Sequence, residues 1–214
     1  MRPLLAAHIR PSALSLPSLA KWWDARFVDG SNNALDRSGN AKTGTNANAT
    51  IQTNIDRGRP IFRFNGTTAR LTFSSLITGT SFSAFVRMKT TNSTTAAGLI
   101  LWINGAADHQ VLCGAAGPVI SCYAGASNYP KSNTIDNYTN FSTIGVVCTS
   151  GTCVFYQDGA SIGTGAQTIS SRTLTNFGGS TSFFSAFDLT ACLLATAAFN
   201  ANQIALATHI LTNQ

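Results

Sequence analysis

The sequence predicts an all-β protein, an antiparallel two-sheet sandwich with one short C-terminal helix. Three observations carry that expectation. Only 10% of the 214 residues are charged, against about 25% in ordinary globular chains, and small polar residues with 18 glycines fill the difference. All eight acidic residues are aspartates, at 24, 29, 36, 56, 108, 136, 158 and 188, so glutamate, a favoured residue of helix surfaces, is missing. From Lys21 onward, short apolar runs alternate with turn clusters, as in sandwiches and barrels. A chain of this length buries roughly 70% of its unfolded surface in one domain, enough for a core that needs no metal or disulfide.

Residues 1–20 contain Pro3, Pro11 and Pro17 and hold no sustained period, which predicts an extended arm ahead of a domain at 21–214. Leu4, Leu5, Ile9, Leu14, Leu16 and Leu19 give this arm apolar surface, and Arg2, Arg10 and Lys21 give it positive charge. Alone in water such a segment cannot offset its ordering entropy, so it is expected to lie on a neighbouring chain, another protein or a second copy, the alternative being that it wraps the chain's own sandwich. Arg10 and the prolines interrupt any secretory apolar core, so no signal peptide is expected. No apolar run approaches the ~20 residues of a membrane span.

In "PIFRFNGTTARLTF" (60–73), Phe62 and Phe64 alternate with Arg63, and Leu71 and Phe73 alternate with Arg70 and Thr72. Asn65-Gly66 lies between, and the pattern predicts a hairpin. "FSAFVRMKT" (82–90) alternates Phe82, Ala84, Val86 and Met88 against Ser83, Phe85, Arg87 and Lys89, while "GLILWING" (98–105) is apolar on both faces, as in a covered strand. Trp22, Trp23 and Trp102 fall in such runs and are assigned to the core. "STIGVVCTSGTCVFYQDGASIG" (142–163) reads as three strands joined by Ser150-Gly151 and Asp158-Gly159. A two-residue loop at Ser150-Gly151 sets Cys148 opposite Cys153, a register that would also admit a cross-strand disulfide. Nothing else marks an oxidising compartment, so thiols are expected there. In "FNANQIALATHIL" Asn200 and Gln203 have capping-box spacing, Phe199 can staple onto Ile204, and Ile204, Ala207, Ile210 and Leu211 recur at helical spacing.

The candidate chemistry is sparse. The five cysteines lack C-x-x-C spacing and do not cluster in sequence with His8, His109 or His209, so no zinc site is expected. Residues 1–90 hold twelve Lys/Arg and four Asp and the remainder two and four. By subtraction the first part is +8 and the rest −2, giving the net +6. No nucleic-acid motif accompanies this basic half, so no specific nucleic-acid partner is expected. Gly159-Ala160-Ser161-Ile162-Gly163 matches G-x-S-x-G, with Asp188 and His209 following in hydrolase order. The same letters place Ser161 inside a strand after a turn, with no good helix behind it, so no catalytic residue is assigned. Asp29, Asp36 and Asn40 offer oxygens on one loop without the fixed spacing of a calcium loop, so no metal or other cofactor is assigned. In "AGASNYPKSNTIDNY" (124–138), Tyr129 and Tyr138 can stack on sugar while Asn128, Asn133 and Asp136 bond its hydroxyls. These five are the candidate ligand-binding residues.

The segment 141–163 resembles the strand-hairpin-strand region of laminin-G-like, concanavalin A-like jelly rolls. "SFFSAFDLTACLLATAAFNANQIALAT" is similar to that family's closing strand and small helix, and "SLAKWWDARFVDGSNNALDRSGNAKTGT" to its opening Trp strand and D-x-SGN loop. The resemblance implies a jelly roll over about residues 18–210. It also points to a non-enzymatic structural or decoration protein of a virion, a bacteriophage particle by the similarity of "SLAKWWDAR" to phage laminin-G-like openings. The alternative it implies is a lectin-like adhesion module for surface glycan. Glucanases of this fold use an E-x-D-x-E cluster, which a chain without glutamate cannot supply.

Overall fold

A computed structural model of the chain describes residues 16–41, 43–90, 100–103, 110–114, 120–123, 140–166, 172–179, 184 and 186–213. In chain order the strands are β1 (Leu19–Asp24), β2 (Thr45–Ala47), β3 (Thr50–Asp56), β4 (Arg59–Asn65), β5 (Arg70–Thr78), β6 (Phe82–Thr90) and β7 (Ile100–Ile103). They continue with β8 (Gln110–Gly114), β9 (Ile120–Tyr123), β10 (Ser142–Thr149), β11 (Thr152–Gln157), β12 (Ala160–Ala166), β13 (Arg172–Phe177) and β14 (Ala186–Ala195), followed by α1 (Ala201–Asn213).

The large sheet runs β12-β11-β10-β6-β14-β4-β3, with β1 alongside β14, and the small sheet runs β2-β5-β13-β7-β8-β9. The protein is thus the expected antiparallel two-sheet sandwich with a C-terminal helix. Between the sheets lies an aromatic core of Trp23, Phe62, Phe64, Phe82, Phe155, Phe177 and Phe187. Phe64 stacks on Phe187 at 4.3 Å, and Trp23 meets Phe177 edge-on. Each such ring contributes about 1.5–3 kcal/mol on burial.

The alternation of β6 explains why this sheet is covered on both faces. Phe82, Ala84, Val86 and Met88 enter the inter-sheet core, whereas Phe85 enters a second cluster with Trp22, Leu193, Phe199, Ile204, Ile210 and Leu211, under α1. The helix begins as its capping box requires: Asn200 N donates to Gln203 Oε1 at 2.8 Å, and Gln203 N to Asn200 Oδ1 at 3.0 Å. Phe199 and Ile204 share the cluster beneath it.

Both hairpins of 142–163 have the expected turns. Thr149 pairs with Thr152 and Cys148 with Cys153, with Cα atoms 4.2 Å apart. Asp158 and Gly159 both have positive φ, 49° and 87°, as a two-residue hairpin loop of primed type requires.

Three expectations change. Cys148 and Cys153 form a disulfide rather than two thiols, because opposed residues of a tight hairpin bring their Cβ atoms within bonding reach. Segment 60–73 is not a hairpin: β4 pairs with β3 and β14, whereas β5 pairs with β2 and β13 in the other sheet. Asn65 Oδ1 accepts the backbone N–H groups of Thr67, Thr68 and Ala69, closing a turn that carries the chain across the sandwich. Lys21 does not charge the arm. It lies in β1, fully buried, with its ammonium 3.6 Å from the Phe73 ring centre and 4.6 Å from that of Trp23. Before it, Leu16 is buried in the cluster beneath α1, and Thr196 N donates to Ser18 O at 2.9 Å. Residues 1–15 of the expected arm lie outside the described residues.

Candidate functional site

Strand-turn-strand units at opposite edges of the large sheet deliver polar residues to one place. The turn between β3 and β4 presents Arg57, and the turn between β11 and β12 presents Asp158-Gly159. Together with α1 these turns enclose an open groove of about 570 Å³. Arg57, Arg87, Phe141, Thr208, His209 and Asn213 line it. Asp158 is fixed by reciprocal bonds at 2.8 Å, its backbone N–H donating to Thr143 O and its Oδ1 accepting from Thr143 N.

The helix end is tied down from the β3–β4 side. The last turn of α1 has no basic residue of its own, so its carbonyls take donors from elsewhere. Arg59 Nη1 donates to Leu211 O at 3.0 Å and Arg57 Nη1 to Thr212 O at 3.4 Å, placing cations at the negative end of the helix dipole.

Asp56 anchors this arrangement. Its buried carboxylate accepts Arg87 Nε at 2.8 Å and Nη2 at 2.9 Å, Arg59 Nη2 at 2.6 Å and Thr190 Oγ1 at 2.7 Å. Burial pushes the Asp56 carboxyl upward, but the hydrogen bonds of Arg87 and Thr190 and the charges of both arginines outweigh it and hold the carboxyl below its ordinary range. Arg87, itself buried, is thereby held at the groove wall. Thr208 Oγ1, on another wall, is buried without a protein hydrogen-bond partner.

Next to the groove a transverse row crosses the exposed face of the same sheet. Thr50 pairs with Arg63, Arg63 with Asp188 and Asp188 with Lys89. The Lys89 ammonium lies 5.1 Å from the Phe141 ring centre. Asp188 is fully buried and grips Arg63 in bidentate fashion, Nε to Oδ1 at 2.8 Å and Nη2 to Oδ2 at 2.9 Å, with Lys89 Nζ 3.6 Å away. The hydrogen bonds to Asp188 raise the Arg63 pKa. A shallow recess of about 450 Å³ opens beside Arg63, bounded by Asn48, Thr50 and Asn65.

The residues singled out by sequence fare unevenly. Asn128, Tyr129, Asn133, Asp136 and Tyr138 lie outside the described residues. Asp29, Asp36 and Asn40 are spent on local structure: Asp29 accepts from Ser31 N, Asn33 N and Asn33 Nδ2, Asp36 accepts from Trp22 N and Ser38, and Asn40 Nδ2 donates to Leu19 O. Bonds from Asn33 and Ser31 hold the Asp29 carboxyl below its ordinary pKa. Among the described residues no His/Cys/Asp/Glu cluster could hold a metal ion, and no helix is long and apolar enough to cross a membrane.

Ser161, Asp188 and His209 form no catalytic triad. Ser161 sits within β12 opposite Tyr156, Asp188 is engaged by Arg63, and His209 Nδ1 faces Asn213 Nδ2 at 3.2 Å. Sequence reasoning missed the roles of Arg57, Arg63, Arg87 and Phe141. The signal available for them was the basic excess of residues 1–90 and the Arg-x-x-x-Arg alternation of β4, Arg59 and Arg63.

No protein-family model matches the chain, and no curated protein matches its sequence. Solved structures share its fold. Domain 4 of AbnA, a GH43 extracellular arabinanase from Geobacillus stearothermophilus, in complex with arabinotriose, is similar with a TM-score of 0.68 at 14% identity, over 89% of this chain and 98% of that one. The binding domain of Botulinum Neurotoxin DC in complex with SialylT is similar with a TM-score of 0.62 at 12% identity, over 92% of this chain and 52% of that one. Trypanosoma rangeli sialidase in complex with sialic acid is similar with a TM-score of 0.59 at 15% identity, over 94% and 34%. The chain therefore spans about half of the toxin domain and a third of the sialidase. At these identities the likeness establishes the jelly-roll fold alone.

Proposed function

We propose that this chain is a carbohydrate-binding module with no catalytic activity of its own, and that its sugar lies in the groove between α1 and the Arg57 and Asp158 turns. The carrying observation is the match, along nearly the full length of both chains, to a domain that holds arabinotriose. Two larger chains that include a sandwich of this shape, as about half of one and a third of the other, were solved with SialylT and sialic acid. The groove has matching chemistry. Phe141 offers a ring face, Arg57, His209 and Asn213 offer polar atoms, and the hydroxyl of Thr208 awaits a partner. Sugar recognition needs this mixture of an apolar platform and a few fixed hydrogen-bonding groups.

The test is calorimetry and glycan-array screening of the intact chain with arabinan oligosaccharides and sialylated glycans, alongside Phe141→Ala and Thr208→Val. Saturable binding that Phe141→Ala weakens at least tenfold is expected. Binding that is indifferent to both variants would move the site elsewhere, and no binding to any glycan would overturn the reading. Carriage of such a module on a larger particle, the virion of the sequence reading, with residues 1–20 as the attachment arm, is a separate proposal supported by sequence features alone. Electron microscopy of native particles carrying this chain tests it.

A further inference from the structure

The transverse row on the large sheet has an unusual division of charge. Its carboxylate is sealed inside, since the Asp188 side chain is 0% exposed, while the cations it holds reach solvent, with Arg63 at 41% and Lys89 at 29%. The neighbouring groove differs: Asp56 there holds two buried cations, Arg59 and Arg87, while the exposed Arg57 is bonded to Thr212 O at the end of α1. Among the described residues, the exposed or half-exposed charges of the groove and the adjoining row are Arg57, Arg63 and Lys89 against Asp158, whose Oδ1 is already bonded to Thr143 N.

Geometry sharpens the charge argument. Asp188 occupies the Nε/Nη2 side of the Arg63 guanidinium. The remaining edge, carrying the Nη1 hydrogens and the second Nη2 hydrogen, is a planar fork that matches a carboxylate in bidentate fashion. Arg63 itself lines the recess, together with Asn48, Thr50 and Asn65. Lys89 stands two strands away, about 10 Å at ~4.8 Å per strand, with Phe141 beside it. A cation held rigidly by a buried carboxylate needs little further ordering to meet a ligand.

We infer that the recess at Arg63 is a seat for the carboxylate of an acidic sugar, so that the module selects sialic- or uronic-acid glycans over neutral ones, with Lys89 and Phe141 carrying the chain of sugars toward the helix groove. This deepens the carbohydrate-binding reading and rests on it. Among the described residues, one half-buried ring and a short row of cations fit a sugar acid better than the repeated stacking platforms and long basic channel that single-stranded nucleic acid requires.

The test compares matched probes on the intact chain by calorimetry: 3′-sialyllactose against lactose, and trigalacturonate against its methyl ester. At least one acidic probe should bind tenfold or more tighter than its neutral counterpart, and its affinity should fall with added salt. Arg63→Lys keeps a counter-charge for Asp188 but removes the fork; it should lower the thermal melt and, measured at a temperature where parent and variant are both folded, should erase most of the ratio of acidic to neutral affinity. Equal binding of acidic and neutral partners, or an acid preference that survives Arg63→Lys, overturns the carboxylate seat while leaving a sugar-binding module standing. Failure of all four probes and of the arabinan oligosaccharides overturns both readings together.

Discussion

Replacing Asp56 with asparagine removes the one negative charge on which Arg59 and Arg87 converge. Four side-chain hydrogen bonds end on that carboxylate, at 2.6 to 2.9 Å, and its side chain is only 2% exposed, against 10% for Arg59 and 4% for Arg87. Solvent screening is therefore weak, and leaving buried cations without their partner costs roughly 3–5 kcal/mol. Total stability of a domain is about 5–15 kcal/mol. At a urea m-value near 2 kcal/mol/M the unfolding midpoint should fall by about 2 M. Thr190→Val, which removes a single donor to the charge, should cost about 1.5–3 kcal/mol. The assay is urea unfolding followed by circular dichroism, with m unchanged. The Asp56 carboxyl titrates lower in the fold than in the open chain, so its contribution is complete above the unfolded value near 4 and disappears as pH falls through the folded value. The variant should accordingly show a flatter acid limb than the parent as pH falls below about 4. A loss below about 1 kcal/mol, with an unchanged acid limb, would refute the view that this cluster is a sealed anchor.

Ser161→Ala and His209→Ala should leave any measured esterase or glycosidase activity unchanged, because the serine occupies a strand and the histidine faces Asn213; a panel of nitrophenyl substrates checks this. Gly145→Ala should destabilise by about 1–3 kcal/mol in thermal unfolding, since a methyl group there overlaps the ring of Phe85, and pairing of β10 on both sides leaves no room to retreat. Reducing the Cys148–Cys153 bridge, which closes a short loop, should cost about 2 kcal/mol; alkylation of that hairpin only after reduction, read by peptide mass spectrometry, checks the pairing.

Local chemistry was legible where a few adjacent residues decide the outcome. The Asp158-Gly159 loop, the Cys148 register and the Asn200 capping box each depend on atoms within a few residues of one another, so spacing sufficed. The fate of 60–73 was not legible. Alternation of Phe62, Phe64, Leu71 and Phe73 is equally compatible with one hairpin and with strands in two facing sheets, since both bury the same sides. Lys21 escaped for a related reason: its burial depends on Phe73, some fifty positions away in the other sheet. The candidate groove was the least legible feature, because Arg57, Arg87, Phe141 and Thr208 come from four separate stretches of chain and meet only when both edges of the large sheet are in place. The apparent triad shows the converse, since Asp188 is a strong anchor whose partner is Arg63, directly opposite it on the neighbouring strand.

The capping of α1 by Arg57 and Arg59 has a mechanical consequence. Those arginines belong to a hairpin at one border of the large sheet, while Gly159, packed against Thr208, belongs to a hairpin at the other. The helix is thus a crossbar whose flank rests on one rim and whose tip is fastened to the other. Because a β-sheet changes shape chiefly by twisting, any change in the coil of the strands between those rims would widen or narrow the space beneath the bar. A molecule wedged there would resist that twist, transmitting a local grip to the curvature of the entire layer.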